Sequence, residues 1–264
     1  MFWRMFQMDI RRCFRPVKTG TVVLIIIVLV TANSWEYIQH GLTYRNAYDI
    51  VTFLSNTLTF DQYKIIIAFA LGALYTGSVC SDDGTGYLRM ILSRVDMTTY
   101  IQSRFLANTL AIVAVSIASF LMFALLMCPM FSLWMDSSMA SRDYYYVAVL
   151  RFCPVLYVIM MGLQFGMIVA ACSSIGLLFS AYQCNAFVSV GLVGMSLFCG
   201  LSYLPMDTIV SIIGMITMSG TAVFSMYPPA FNYAWGILYP TLVIALCGFL
   251  FYRRMKWRML NGRI

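Results

Sequence analysis

The feature that most constrains this chain is a series of apolar stretches, each about as long as a membrane span. The first contains the uncharged run TVVLIIIVLV at residues 21–30, and five more follow along the 264 residues. A helix needs about 20 mainly apolar residues to cross the hydrocarbon core of a bilayer. The pattern therefore predicts an all-α integral membrane protein with six transmembrane helices. The predicted spans are residues 19–33, 64–80, 105–127, 148–178, 186–204 and 235–252.

The composition agrees with this prediction and excludes a soluble domain. Hydrophobic residues make up 61% of the chain and charged residues 10%, against roughly 45–50% and about 25% in soluble proteins. The net charge of +7 would suggest nucleic acid in a soluble protein. Here the basic residues adjoin apolar runs, so anionic lipid headgroups are the expected partners and nucleic acid is not.

Lys and Arg residues set the expected orientation, because they concentrate on the cytoplasmic side of membrane proteins. Six spans place both termini on one side, together with 13 of the 17 Lys and Arg residues. We therefore expect both termini in the cytoplasm and the chain in a plasma membrane. The cytoplasmic basic residues are Arg4, Arg11, Arg12, Arg15, Lys18, Arg89, Arg94, Arg104, Arg253, Arg254, Lys256, Arg258 and Arg263.

Residues 1–16 predict an amphipathic helix that lies in the membrane interface. Phe2, Phe6, Ile10 and Phe14 recur every four residues and form an apolar stripe. Basic side chains on the remaining surface would contact water or lipid phosphates. These are Arg4, Arg11, Arg12 and Arg15.

A secretory signal peptide is the alternative interpretation of this N-terminal region. A basic start, an apolar stretch and the small residues Val30-Thr31-Ala32 are its usual parts. Against cleavage, an amphipathic helix precedes the stretch, and an even number of spans is needed to keep the basic C-terminus inside. We therefore expect the first span to be retained.

The segment between the fifth and sixth spans, residues 205–232, is apolar but interrupted. Gly214, Gly220 and the pair Pro228-Pro229 break it. A seventh span here would place one basic terminus outside. We expect a re-entrant segment or short helices on the outer side, where protein shields the irregular backbone.

The sequence contains none of the motifs that we would expect of an enzyme. There is no phosphate-binding loop, no HExxH and no GxSxG, and His40 is the only histidine. The eight cysteines include no CxxC pair, so we expect free thiols and no metal site. Arg104 and Arg151 adjoin span ends, where snorkelling to the interface is the expected behaviour. We predict no catalytic residue and no cofactor bound by this chain.

The loop at residues 81–104 carries most of the information about function. Asp82 and Asp83 resemble the acidic start of a helix. The apolar residues after them recur at helical spacing and predict a short cytoplasmic helix with an exposed apolar face. Such a helix could lie on the membrane surface, or it could dock onto a soluble partner.

These residues resemble a known family, the type-2 ABC (ATP-binding cassette) transporter permeases. Members have a basic amphipathic helix before span one and an acid–x–Gly-Thr–x–x–Leu-Arg–x–x–Leu-like stretch after span two. Here that stretch is DDGTGYLRMIL at residues 82–92, followed by Ser93-Arg94. The Gly- and Ser-rich end of span four, residues 170–180, is also similar. The chain departs from the pattern in having Asp where Glu is common and Leu92 where Pro is common.

The resemblance implies an exporter in which two permease copies, or one copy and a paralogue, enclose a path. Separate cytoplasmic ATPase subunits would bind the ATP and Mg²⁺, and this chain would move a hydrophobic or amphipathic peptide, lipid or drug-like molecule outward. The loop 81–104 would couple the permease to the ATPase. The residues that the resemblance places at that interface are Asp83, Gly84, Thr85, Leu88, Arg89, Ile91, Leu92 and Arg94.

Several alternatives remain open at the level of sequence. The chain could be a membrane scaffold or assembly subunit that transports nothing. A lipid-modifying enzyme is a second class, but it should show clustered polar catalytic residues at one membrane face. Within the transporter interpretation, export of an antimicrobial peptide and immunity to it leave the same sequence pattern.

Overall fold

A computed structural model describes residues 2–44, 48–59, 63–135, 147–203 and 229–261. Within these ranges all regular secondary structure is α-helical and no strand occurs. The helices are α1 (Phe2–Cys13), α2 (Pro16–Asn33), α3 (Trp35–Thr43), α4 (Ile50–Thr59), α5 (Tyr63–Gly72), α6 (Ser78–Gly84), α7 (Tyr87–Leu92), α8 (Met97–Met127), α9 (Val147–Phe152), α10 (Pro154–Ser180), α11 (Ala186–Tyr203) and α12 (Pro229–Leu260).

Four helices in the described ranges are long and apolar enough to cross a membrane. They are α2, α8, α10 and the Tyr233–Leu260 part of α12. Apolar helices of this length are compatible with a multi-pass membrane protein. The predicted second and fifth spans correspond to the shorter apolar helices α5 and α11.

The predicted second span, residues 64–80, is not one continuous helix. Helix α5 ends at Gly72, the next residues form turns, and α6 begins at Ser78. Two side chains in the break bond to other helices: the Tyr75 hydroxyl donates to Asp9, and the Thr76 hydroxyl pairs with Ser173. The break in the helix therefore lies where the chain bonds to residues far away in the sequence. The local apolar pattern could not predict these contacts.

Other predicted boundaries also shift. The predicted span at 148–178 divides at Cys153, whose backbone is extended because the residue before a proline avoids the helical region. Helix α8 begins at Met97 rather than at residue 105, so the end of the predicted loop 81–104 is helical. Helix α12 includes residues 229–232 and continues through the basic tail. The rest of the predicted re-entrant segment 205–232 lies outside the described residues.

Helix α1 is part of the helical bundle. It packs along the N-terminal part of α8, and its buried side chains are Met5, Phe6, Asp9 and Cys13. Phe14, which was predicted to belong to the apolar stripe, is exposed. The residues that face α8 therefore differ from the predicted stripe, and they include an acid. Arg4, Arg11 and Arg15 are exposed, as the sequence indicated.

The two ends of α8 carry different sets of short helices. Helices α1, α6 and α7 lie at its N-terminal end, while α4 lies at its C-terminal end, where Phe53 meets Phe131 edge-on at 5.1 Å between ring centroids. At that far end Asp49 caps α4 by accepting from the Thr52 amide at 2.8 Å, and it also accepts from the Met135 amide at 3.1 Å. The bundle thus has two chemically distinct ends.

Helices α8 and α10 form the centre of the bundle and approach each other closely through two glycines. A Cβ atom on Gly162 or Gly166 of α10 would lie 2.9 Å from the Cα atom of Ile117 or Val113 of α8, respectively. Backbone atoms at this distance cannot give way as a flexible side chain can. Small residues four apart are a common device for such close helix packing in membranes.

We predict that Gly162→Ala and Gly166→Ala, combined, lower the free energy of unfolding by about 1–3 kcal/mol, because the added methyl groups overpack the α8–α10 contact. Thermal unfolding of the detergent-solubilised protein measures the effect. Gly20→Ala in α2 is the matched control, since a Cβ there has nothing within 4 Å. Equal unfolding temperatures for the double variant and the wild type would contradict the close approach.

Candidate functional site

A buried arginine on α8 is the centre of the candidate site. The Arg104 side chain is 1% exposed, and its guanidinium lies 3.2 Å from an oxygen of Asp9 on α1. The same guanidinium forms an ion pair with Asp82 on α6. It also lies against the rings of Tyr75 and Tyr100, with centroid distances of 5.2 Å and 5.1 Å. Arg104 thus joins three helices.

The partners of Arg104 are themselves hydrogen-bonded. The Tyr75 hydroxyl donates to Asp9 at 2.7 Å, and the Ser103 hydroxyl donates to the other Asp9 oxygen. Arg12 of α1 donates to Asp82 at 3.2 Å. Two carboxylates and two guanidinium groups balance in charge, which a buried cluster requires because an unpaired buried charge is very costly. We call Asp9, Arg12, Asp82 and Arg104, with the two tyrosines, the ion cluster.

The expectation that Arg104 snorkels to the interface is wrong, because the side chain is enclosed by protein and paired with two acids. The sequence contained one indication of the buried ion pair. Asp9 lies three or four residues from Met5, Phe6 and Cys13, so it shares the apolar face of α1 on which an unpaired acid would not be tolerated. A buried acid needs a buried base, but its identity depends on contacts far apart in the chain.

The expected exposed apolar face of α7 is not exposed in this chain. Leu88 is fully buried and Ile91 is 7% exposed, because both pack into a core formed with α1, α8, α10 and α12. The surface that α6 and α7 leave accessible is mainly Gly84, Thr85 and Met90, the last with 59% of its surface exposed.

The remaining predicted interface residues divide between internal contacts and the surface. Asp83 is bonded within the chain, since Arg258 of α12 donates to it at 3.0 Å. Leu92 is half-buried and Arg94 is exposed. The side chain of Arg89 lies outside the described residues. Contact of any of these residues with an ATPase stays a prediction.

A left-handed glycine joins α6 to α7. Gly86 has a φ of +71°, a conformation that side chains disfavour and glycine adopts readily. The turn lets α7 fold back onto the core after α6 has brought Asp82 to Arg104. Because the two helices are short, their position depends on these tertiary contacts more than on their own hydrogen bonds.

A second polar layer lies one helical turn further into the bundle. Asn108, four residues after Arg104, donates to the Ser173 hydroxyl at 2.8 Å, and Thr76 pairs with the same hydroxyl at 2.6 Å. This layer links the break after α5 to α8 and to the Ser-rich end of α10. Removal of one partner would leave a buried polar group without its bond.

The eight cysteines are free: Cys128, Cys184 and Cys199 are exposed, and the others are buried or half-buried. Burial raises the pKa of Cys13 in α1 to about 12, so this thiol stays protonated at physiological pH. Cys184, on the turn after α10, has a raised pKa because it shares a hydrogen bond with Cys80 of α6. Among the described residues no group of three or more His, Cys, Asp or Glu side chains could hold a metal ion.

The fold defines the class of this protein: an all-helical chain whose four long apolar helices are compatible with several membrane crossings. No protein-family model, curated protein or solved structure matches it. The resemblance to type-2 ABC permeases therefore rests on the sequence: the basic helix before span one, the motif at residues 82–94, the Gly- and Ser-rich residues 170–180 and the order of apolar segments.

We predict that Arg104→Gln lowers the free energy of unfolding by about 3–5 kcal/mol, because Asp9 and Asp82 remain buried without their counter-charge. Thermal unfolding in detergent, with the yield of folded protein, measures the loss. The matched control is Arg258→Gln, which breaks the pair with Asp83, whose side chains are 15% and 20% exposed; it should cost less than Arg104→Gln because both groups keep part of their hydration.

A triple variant separates charge imbalance from other effects of the Arg104 substitution. Asp9→Asn, Asp82→Asn and Arg104→Met together remove the three deeply buried charges and leave Arg12, whose side chain is 32% exposed and keeps part of its hydration. We expect this variant to recover much of the stability lost in Arg104→Gln, because no deeply buried charge then lacks a counter-charge. A triple variant less stable than Arg104→Gln would contradict the charge-balance explanation.

Proposed function

We propose that this chain is the membrane-spanning permease subunit of an ABC exporter. It would move a hydrophobic or amphipathic cargo outward, using ATP hydrolysed by a separate cytoplasmic ATPase. The observation that carries the proposal is the position of α6 and α7. This short helical pair lies at the basic end of the bundle and is tied to α1 and α8 by Arg104 and to α12 by the Asp83–Arg258 pair.

Six spans are proposed by adding α5 and α11 to the four long helices. Helix α11 has 18 residues and would be about 27 Å long, close to the hydrocarbon thickness. Helix α5 has 10 residues and would need the turns after Gly72 and part of α6 to complete a crossing. Irregular backbone at membrane depth is tolerated where protein surrounds it.

The distribution of cations supports cytoplasmic termini. Within the described ranges, the end of the bundle that holds α1, α6 and α7 also holds the C-terminal part of α12. Lys64 and Arg151 are the described cations near the opposite end. The positive-inside rule then favours a cytoplasmic position for α1, α6, α7 and the end of α12. The proposed location is a bacterial plasma membrane.

The ATPase would contact the exposed part of the α6–α7 pair, namely Gly84, Thr85, Met90, Ser93 and Arg94. Leu88 and Ile91 would not contact the ATPase; they would hold α7 in position by packing into the core. The ion cluster would then pass a displacement of α6 to α1 and α8. For ATP to drive the permease, the ATPase states must bind the two permease conformations with different affinities.

A second permease copy or a paralogue would complete the transport path. Helix α5 packs against both α2 and α11, and these two helices leave large apolar side chains uncovered, including Leu24, Val28, Phe187 and Met195. The described parts of these helices carry few charges. A path lined by such surfaces favours an apolar or amphipathic cargo over a charged one.

We predict that Met90→Glu with Arg94→Glu abolishes binding of the ATPase while the permease stays folded, because both residues are on the accessible surface. The measurement is purification of the tagged protein from native membranes, identification of soluble partners and assay of nucleotide turnover. Gel filtration and thermal unfolding report whether the variant is folded. Leu88→Asp is unsuitable because it would place a charge in the core.

The matched control is Met259→Glu with Arg253→Glu, the same chemical change on exposed positions of α12. We expect this variant to retain the ATPase. A wild-type protein that brings down no ATPase would contradict the proposal and favour the scaffold alternative. Retention of the ATPase by the α7 variant would show that the partner binds elsewhere.

A further inference from the structure

We propose that a cavity beside the ion cluster is a binding site for a phosphate group, carried by an anionic phospholipid. The cavity lies between the start of α2, the break after α5, and helices α1, α6, α7 and α11. Its volume is about 680 Å³. The inference comes from the charges and shape of this cavity and does not require the transporter proposal.

One side of the cavity is strongly basic. Arg12, Arg15 and Lys18 line it, and Asp82 is the one acidic residue among its lining residues. Asp82 already pairs with the buried Arg104 as well as with Arg12. The single acid is therefore shared between two arginines, and Arg15 and Lys18 give the cavity an excess of positive charge that favours an anion.

Hydroxyl groups and one ordered cation add to the basic side. Ser78, Ser81 and Thr85 also line the cavity, and the buried Ser78 hydroxyl oxygen has no hydrogen-bond partner among the described residues. The Lys18 ammonium donates to the Leu74 carbonyl at 2.5 Å, which holds it at the cavity edge. The ordered Lys18 ammonium is suited to donate a charge-assisted hydrogen bond to an anionic oxygen.

The other side of the cavity is apolar and is formed in part by Ala73, Ala186 and Val190. A free phosphate would leave this side in contact with water. A phospholipid would place its phosphate on the cations and its glycerol and first methylene groups on the apolar side. Arg15 and Lys18 lie at the first turn of the spanning helix α2, where lipid headgroups are expected.

A second groove continues the basic surface along α1. It has a volume of about 340 Å³ and shares Arg12 and Arg15 with the cavity, while Arg4 and Arg11 extend it. Arginine suits phosphate because its planar fork can donate two parallel bonds to neighbouring oxygens. The groove would attract anionic headgroups, and the cavity would hold one of them.

The site is directly connected to the ion cluster. Arg12 donates to Asp82, and its guanidinium lies 4.7 Å from the centre of the Tyr87 ring on α7. A phosphate bound in the cavity would share Arg12 with Asp82. Because Arg12 contacts both α6 and α7, a bound phosphate would alter the contacts that hold these two helices in position.

The test uses the full chain, stripped of lipid and returned to nanodiscs or detergent, with native mass spectrometry to count bound lipid. We expect one phosphatidylglycerol to bind more tightly than the others. Arg15→Gln with Lys18→Gln should weaken it about tenfold or more, the amount expected when charge-assisted bonds are lost. Arg253→Gln with Lys256→Gln removes the same charge from exposed positions outside the cavity and should leave this binding unchanged.

A competition with inorganic phosphate identifies the source of the phosphate group. Displacement of phosphatidylglycerol by short-chain phosphatidylglycerol, but not by millimolar inorganic phosphate, supports a lipid site. Displacement by inorganic phosphate alone would support the phosphate site and overturn its assignment to a lipid. Equal weakening in both double variants, or none in Arg15→Gln with Lys18→Gln, would overturn the site altogether.

Discussion

The burial of Arg104 is the constraint on which the cytoplasm-facing half of the proposed permease depends. A guanidinium that is 1% exposed must be surrounded by carboxylates and aromatic faces, because the loss of its hydration would otherwise prevent folding. Asp9 and Asp82 meet this requirement from two other helices. Because Asp9 and Asp82 pair with Arg104, α1 packs against α8 and α6 lies at the N-terminal end of α8.

Helices α6 and α7 would be too short to hold their shape alone. They are held by the ion pairs of Asp82 and Asp83 and by the burial of Leu88 and Ile91. The same bonds join the pair to α1, α8 and α12. In the proposed exporter these connections would let a displacement at the ATPase surface reach the spanning helices, and the basic cavity would lie beside them.

The sequence predicted the elements that depend on local composition. The apolar runs located α2, α8, α10 and α12. It did not predict the break after Gly72 or the burial of Arg104, since both depend on partners far apart in the chain. The apolar spacing correctly predicted a helix at residues 87–92, but not that its apolar face is buried. A helical pattern does not tell whether an apolar face packs against the same chain or against a partner.

The most direct measurement of the central claim is hydrogen–deuterium exchange along the chain in wild type and in Arg104→Gln. If the ion cluster holds the α6–α7 pair, residues 78–92 should exchange slowly in the wild type and much faster in the variant. Exchange of residues 50–59 in α4, at the opposite end of the bundle, should change far less. Rapid exchange of residues 78–92 in the wild type, or equal exchange in both proteins, would contradict the account.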